Sequence, residues 1–128
     1  MLPFSISLRT GLPIHEQVIY AVTRAVVSGQ LRAGDSFPSV RVISQELKIN
    51  PNTAHRIVAS LVEDGLLVVR PGIGTTVADV RALSAGTRRQ VLEDDGERLV
   101  VAARRAGLSL QEVLTAVRRH WTRTTGAD

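Results

Sequence analysis

Residues 37–67 read FPSVRVISQELKINPNTAHRIVASLVEDGLL, and this stretch predicts two short amphipathic helices joined by a tight turn. Ser39 and Asn50 are typical N-cap residues, because their side chains accept a hydrogen bond from a free backbone N–H of the first helical turn. Pro51 follows Asn50 at the first helical position, where the missing N–H has no partner to lose. Two closely spaced helices of this kind are typical of a helix-turn-helix.

The second of these helices has an apolar stripe and a polar opposite face. The stripe repeats at helical spacing and consists of Ala54, Ile57, Val58, Leu61 and Val62. At about 3.6 residues per turn, the opposite face groups Asn52, Thr53 at its margin, His55, Arg56 and Ala59. Such a face is usually only solvated. Here its first turns carry short hydrogen-bonding side chains with His and Arg, and acidic residues come only at the far end, which favours contact with DNA base edges.

The segments on either side predict a scaffold helix and a hairpin. Residues 4–8 alternate apolar and polar, which suits a short half-buried strand, with a disordered tail as the alternative. Residues 13–28 have apolar positions at helical spacing and are followed by Gly29, which predicts a helix. Residues 66–69 and 75–77 are β-prone and flank a tip rich in Gly and Pro. A helix-turn-helix followed by a hairpin is a winged helix.

Six segments, in this order and at this spacing, carry a resemblance to a known family: PIHEQV (13–18), SGQLRAGD (28–35), PSVR (38–41), NPNT (50–53), LVEDGLL (61–67) and GIGT (72–75). They resemble the DNA-binding domain of the GntR family of bacterial regulators, and the NPNT turn and short tail resemble its YtrA-like subclass. The fold class implied is mainly α with a small β-hairpin wing. It comprises a winged helix-turn-helix over residues 1–78 and an all-helical dimerisation extension over residues 79–128.

The resemblance implies DNA contacts from both helices and from the wing. We add the cap residue Asn50 and the hairpin residue Arg70, which neighbour these contacts. The predicted DNA-binding residues are then Ser39, Arg41, Asn50, Asn52, Thr53, His55, Arg56, Arg70, Gly72 and Gly74. Three features depart from the family pattern. Lys48 stands where the turn usually has Gly, and His55 where Arg is common. Ile73 and Thr76 occupy wing positions that are usually basic and aromatic, so we expect a weakly basic wing.

The extension is predicted to be helical over residues 79–106, with breaks at Gly86 and Gly96, and to end in a helix that a Ser109–Glu112 capping box begins. Two or three helices cannot bury their apolar faces against each other alone. We therefore expect a second copy of the chain to dock on the extension. The predicted dimerisation residues are Leu92, Leu99, Leu110, Val113, Leu114, Val117 and Trp121. The run of two Arg and one His at 118–120 is either an anion site or a solvated helix C-terminus favoured by the macrodipole.

Composition narrows the function classes. The net charge of +4, from 16 basic and 12 acidic residues, permits a nucleic-acid partner. The bias of Arg over Lys fits phosphate or guanine contacts, or else genome composition. The absence of Cys excludes disulfides and thiol-ligated zinc, and 3% aromatic residues argue against a base-stacking platform for single strands. No run approaches the roughly 18 apolar residues of a membrane span, and no secretion signal is visible, so we expect a cytoplasmic protein without a membrane partner.

The predicted function is sequence-specific transcriptional regulation. We expect a homodimeric repressor of an operon, with transporter genes suggested by the family setting, that binds an inverted-repeat operator in double-stranded DNA. A small-molecule effector would bind at the dimer interface. The alternative is a winged-helix module that docks a partner protein. An enzyme is not expected, because the three His residues are isolated and no nucleophile, carboxylate pair, metal-ligand set or cofactor motif is recognisable.

Overall fold

The computed structural model describes residues 1–79 and 85–125, and the chain divides into two compact units, Met1–Val80 and Arg81–Asp128. In order, the first unit contains α1 (Ile14–Val27), α2 (Val40–Leu47), α3 (Pro51–Glu63), β1 (Leu67–Arg70) and β2 (Gly74–Val77). The second contains α4 (Ala85–Gln90), a π-helical segment (Val91–Asp95), α5 (Gly96–Arg105) and α6 (Leu110–Thr125). A mainly helical chain with a two-stranded antiparallel hairpin confirms the predicted fold class.

Both predicted caps of the helix-turn-helix are confirmed. The Ser39 hydroxyl accepts a hydrogen bond from the Val42 N–H at 3.3 Å, and the Asn50 side-chain oxygen accepts one from the Asn52 N–H at 2.7 Å. Pro51 is the first residue of α3. Each cap satisfies a donor that the helix itself leaves without a partner, so the two helix starts are fixed locally.

The turn between α2 and α3 is closed by Ser44. The Ser44 hydroxyl donates to the Ile49 carbonyl at 2.8 Å, and the Ser44 carbonyl accepts from the Ile49 N–H at 3.1 Å. Lys48 lies inside this loop with φ 54° and ψ 50°, the left-handed conformation that Gly usually adopts at a helix C-terminus. The turn therefore keeps the backbone expected for Gly, and the Lys side chain is accommodated at an energetic cost.

The core of the first unit lies between α1, α2, α3 and the hairpin. From the predicted stripe of α3, Ala54, Ile57 and Leu61 are fully buried. The other buried apolar residues of this core are Phe4, Val18, Ala21, Val22, Ala25, Leu31, Phe37, Ile43, Leu67 and Val77. A polar contact of 3.2 Å between His15 Nε2 and Ser60 Oγ also joins α1 to α3. His15 is thereby explained as a structural residue.

A third extended segment binds the outer edge of the wing. In the hairpin, Leu67 pairs with Val77 and Arg70 with Gly74. Residues 34–37 run along β2, where the Phe37 N–H donates to the Thr75 carbonyl at 2.9 Å and the Val77 N–H donates to the Asp35 carbonyl at 2.8 Å. The wing is therefore tied to the segment that leads directly into α2.

The predicted strand at residues 4–8 is wrong, and so is the alternative of a disordered tail. The segment forms no strand. Instead Phe4 is buried and its ring stacks on Phe37, with ring centroids 5.9 Å apart and planes 2° from parallel. Gln17 then holds the following bend, since its side chain donates to the carbonyls of Arg9 and Leu12 and accepts from the Arg9 N–H. Residues 4–8 are therefore held by the burial and stacking of Phe4 and not by strand pairing.

The predicted helix break at Gly96 is wrong, because Gly96 has helical dihedral angles of φ −61° and ψ −45°. Gly86 is the second residue of α4, so the break predicted there stays a prediction. The irregularity is the π-helical segment just before Gly96, which widens the helix without ending it. Residues 80–84 of the predicted helix lie outside the described residues.

The capping box at the start of α6 is confirmed. The Glu112 N–H donates to the Ser109 hydroxyl at 3.1 Å, and the Ser109 N–H donates to the Glu112 carboxylate at 3.0 Å. The pKa of the Glu112 carboxyl lies below its ordinary value. The main cause is the hydrogen bond from the Ser109 backbone, and the Ser109 side chain makes a smaller contribution.

Lys48→Gly is expected to raise the free energy of unfolding by up to about 1 kcal/mol, because Gly adopts the left-handed conformation without a β-carbon clash. Urea denaturation of the full chain would measure this. Lys48→Ala is the matched control, since it removes the charge and keeps the β-carbon. An equal gain from both substitutions would show that the charge, rather than the backbone conformation, carries the cost.

Candidate nucleic-acid interface

The outer face of α3 carries the side chains predicted to read DNA. Asn52, His55 and Arg56 are exposed, and Thr53 is half-buried at the margin of this face. Arg41 is exposed in the first turn of α2. Neither Arg41 nor Arg56 has an ion pair or hydrogen bond to another described residue, so their guanidinium groups are available to an external acceptor such as phosphate or guanine.

Ser39 and Asn50, which are predicted to contact DNA, have a structural role in the first unit. Their side-chain oxygens accept the capping hydrogen bonds, while the Ser39 hydroxyl proton and the Asn50 amide protons remain able to donate. Both residues are exposed at helix N-termini, where free backbone N–H groups and the helix dipole favour an anion. The geometry thus places donors at the starts of both helices.

Of the three predicted DNA-binding residues in the wing, Arg70 would act through its side chain, and Gly72 and Gly74 would act through the backbone. Arg70 is exposed and donates from its Nε to the Thr76 hydroxyl at 3.3 Å. Gly72 and Gly74 have φ values of 77° and 112°, so the hairpin tip itself requires glycine at these positions. Thr76 is buried and cannot reach a ligand, whereas Ile73 at the tip is 73% exposed. The wing therefore offers one cation and an apolar tip.

Lys48 is an exposed cation that the predicted DNA-binding set left out. It lies in the turn, two residues before Asn50, and so beside the start of α3. Two signals in the sequence could have found it, namely its positive charge and its place in the turn between the two helices.

The described ranges contain neither a metal centre nor a membrane-spanning helix. No group of three or more His, Asp or Glu side chains there is arranged to hold a metal ion. Among the helices of residues 1–79 and 85–125, none has the length and apolar character needed to cross a membrane.

A helix-turn-helix followed directly by a two-stranded wing defines the winged-helix class of transcriptional regulators. Residues 14–77 match the family described as bacterial regulatory proteins, gntR family. The chain belongs to this family, and it is a transcriptional regulator rather than an enzyme. The resemblance carried by the six sequence segments is confirmed.

Similar proteins cover nearly the whole chain. The HTH-type transcriptional repressor YtrA of Bacillus subtilis (strain 168) is 25% identical over 121 residues, which are 94% of this chain and 89% of that protein. The crystal structure of a transcriptional antiterminator from Listeria monocytogenes EGD-e superposes with a TM-score of 0.83 at 23% identity, covering 98% of this chain and 94% of that one. YtrA from Sulfolobus acidocaldarius, a GntR-family transcription factor, has a TM-score of 0.55 at 22% identity and covers 93% and 97%.

Asn50→Ala is expected to lower the free energy of unfolding by about 1 kcal/mol, because the Asn52 N–H loses its acceptor. Asn50→Asp is the matched control, since Asp is an equally good N-cap and should leave stability nearly unchanged. Both values follow from urea denaturation. Equal losses for the two variants would mean that the capping hydrogen bond is not the source of the effect.

Proposed function

We propose that this regulator is a homodimeric repressor that binds an inverted-repeat operator in double-stranded DNA. The observation that carries the proposal is the outer face of α3, where Asn52, His55 and Arg56 are exposed and the acidic residues come only at the far end. The similarity to a protein named as a transcriptional repressor, over almost the full length of both chains, supports the direction of the regulation.

In this proposal α3 of each copy enters a major groove, and the two grooves lie about one helical turn of DNA apart. Arg41 and Arg56 bind phosphate or guanine, and Asn52 and Thr53 bind bases or the backbone, with His55 alongside. Ser39, Asn50, Arg70 and Lys48 add donors to phosphates at the edges of the contact. The backbone at Gly72 and Gly74 lets the tip of the wing approach the DNA closely.

The extension supports the homodimer. Leu92 is 76% exposed and Leu110 is 73% exposed in the single chain. The predicted dimerisation residues Leu92, Leu99, Leu110, Leu114, Val117 and Trp121 are all exposed, and Val113 is half-buried. An apolar surface of this extent is unusual on a monomer and typical of a protein interface. A second copy that covers this surface would also set the distance between the two α3 helices.

The biological setting follows from the same proposal. A dimer seated on an operator would repress by blocking RNA polymerase, and this would take place in the cytoplasm, where bacterial DNA lies. The regulated operon, with transporter genes as the family setting suggests, would be identified by an inverted repeat upstream of it. A small-molecule effector would bind between the two extensions, and a ligand mapped instead to the core of the first unit would contradict that part.

One observation favours a second candidate function, a protein-docking winged helix. Val69 and Ile73 are exposed apolar residues on the wing, where a strongly DNA-binding wing would be basic. Binding to a partner protein, together with no binding to random duplex DNA at low salt, would favour this candidate over the repressor.

If Arg41 or Arg56 contacts guanine, replacing it with Ala should weaken binding to the operator by about 1–3 kcal/mol. If it contacts only phosphate, the same substitution should reduce the steepness of log affinity plotted against log salt concentration by about 1. Gel shifts on the upstream region of the gene would measure both. Wild-type affinity should fall roughly 10³–10⁵-fold between about 50 and 200 mM salt. Arg24→Ala, an exposed Arg on α1, is the matched control. Unchanged affinity in both test variants would mean that the contacts are assigned wrongly.

Leu110→Asp should weaken the dimer while keeping α6 intact. Leu110 is the first residue of α6, where an acidic side chain suits the helix dipole, so the loss would come from the apolar interface. Sedimentation equilibrium would give the dimer dissociation constant, which we expect to rise at least about tenfold for a buried Leu. Gln111→Asp is the control, because residue 111 lies off the apolar stripe. Equal effects of the two substitutions would argue against the proposed interface.

A further inference from the structure

The outward side of α1 carries a ridge of three side chains, Glu16, Tyr20 and Arg24. They follow one another at intervals of four residues, which places them on one face of the helix with Tyr20 in the middle. All three are exposed, and Tyr20 is 70% exposed. Tyr and Arg are enriched at the centres of protein interfaces, so this ridge has the composition of a binding surface.

Two depressions flank the ridge. One measures about 480 Å³ and lies between α1 and the segment that precedes it, and the other measures about 500 Å³ and lies between α1 and the end of α3. Glu16 and Tyr20 line both depressions, so the ridge stands between two grooves. Helices pack by placing ridges with this four-residue spacing into the grooves of a neighbour. The outward side of α1 therefore has the shape that a second helix requires.

The charges of the ridge are arranged symmetrically about Tyr20. Glu16 is the only carboxylate of α1 and Arg24 its only arginine, and neither has an ion pair to another described residue. They lie eight residues apart, about 12 Å along the helix, which is too far to pair with each other. Exposed apolar residues extend the pattern, since Leu12 lies eight positions before Tyr20 and Val27 seven positions after it. Along this face the order is apolar, negative, aromatic, positive and apolar.

We propose that α1 of one copy packs antiparallel on α1 of a second copy, about a two-fold axis that passes beside Tyr20. Such an axis brings each residue after Tyr20 level with the residue equally far before Tyr20 in the other copy. Glu16 therefore meets Arg24 of the second copy, and symmetry makes this contact occur twice. Leu12 of each copy likewise comes close to Val27 of the other. The contact lies in the first unit and is separate from the proposed contact between the extensions.

Self-complementarity argues for a second copy over other partners. A nucleic acid would be repelled by Glu16, Glu63 and Asp64, which line the depression next to α3. A basic peptide would be repelled by Arg9 and Arg24, which line the other depression. A second copy brings a positive charge to Glu16 and a negative charge to Arg24 at the same time. A two-fold interface requires this pattern, because one surface has to serve as both partners.

The apolar side chains supply the affinity of this contact, and the charges select its register. An exposed charge pair contributes little affinity, so Arg24→Ala is expected to retain the contact. Because the contact joins two first units, it would restrict how far apart their α3 helices can lie.

Cysteine cross-linking tests the register, since the chain contains no Cys of its own. Full-length Glu16→Cys and Arg24→Cys are mixed in equal amounts and oxidised mildly at micromolar concentration. In the proposed contact, position 16 of one chain lies opposite position 24 of the other, within the Cα separation of about 7 Å that a disulfide can span. In either variant alone, the two Cys residues would lie about 12 Å apart along the helices. A non-reducing gel should therefore show on the order of tenfold more covalent pairs in the mixture than in either variant alone.

Two further variants control for random collisions and for the place of the contact. Gln30→Cys is exposed in the loop after α1, and its mixture with Arg24→Cys should cross-link no more than either variant alone. Tyr20→Asp, added to both Glu16→Cys and Arg24→Cys, should lower the yield of covalent pairs on the order of tenfold, because Tyr20 is the centre of the contact. Circular dichroism would show that the helices are retained in every variant.

Two results would overturn the pairing. One is a mixture of Glu16→Cys and Arg24→Cys that cross-links no more than the mixture containing Gln30→Cys. The other is a yield that Tyr20→Asp leaves unchanged, because the contact would then not be centred on the ridge. Either result leaves the proposed contact between the extensions standing, since no residue of the extension is changed.

Discussion

The position of α3 depends on three residues, Lys48, Ile49 and Asn50, which are all that separate it from α2. Ser44 holds Ile49 through two hydrogen bonds, and Asn50 caps the first turn of α3. Because each bond joins residues at most five positions apart, the turn is fixed by local chemistry. The buried face of α3 then anchors the helix in the core. A left-handed Lys48 is tolerated because these surrounding bonds outweigh a cost of about 1–2 kcal/mol.

The features that could be predicted from the sequence are those with local causes. The caps at Ser39 and Asn50 and the box at Ser109 each join a side chain to a backbone group two or three residues away. The exposed face of α3 follows from the helical period, so the sequence alone places Asn52, His55 and Arg56 on it. The stability effect expected for Asn50→Ala rests on this same kind of local bond.

The features that could not be predicted depend on distant neighbours. The alternation of residues 4–8 indicates which side chains face inward, and it carries no information on whether a sheet edge is free; Phe4 meets Phe37, 33 positions away in the sequence. Thr76 is buried, and Ser36, its partner in an isolated β-bridge, lies 40 positions away in the sequence. Gly96 is a residue type that often ends a helix, yet its cost of about 1 kcal/mol is offset by the helix on either side. The π-helical segment has no sequence signal that we recognise.

In the proposed dimer, the modest charge of the first unit would give the extension a direct part in DNA affinity. Lys48, Arg41, Arg56 and Arg70 are the exposed cations that the turn, both helices and the wing place near the proposed contact. Four phosphate contacts from one copy would give a salt slope of only about −4, whereas a dimer would reach about −7. Joining two weak sites turns the second contact into an intramolecular one, which raises affinity without any new side chain. In the proposed complex, holding two copies together through the extensions would compensate for a wing that carries a single cation.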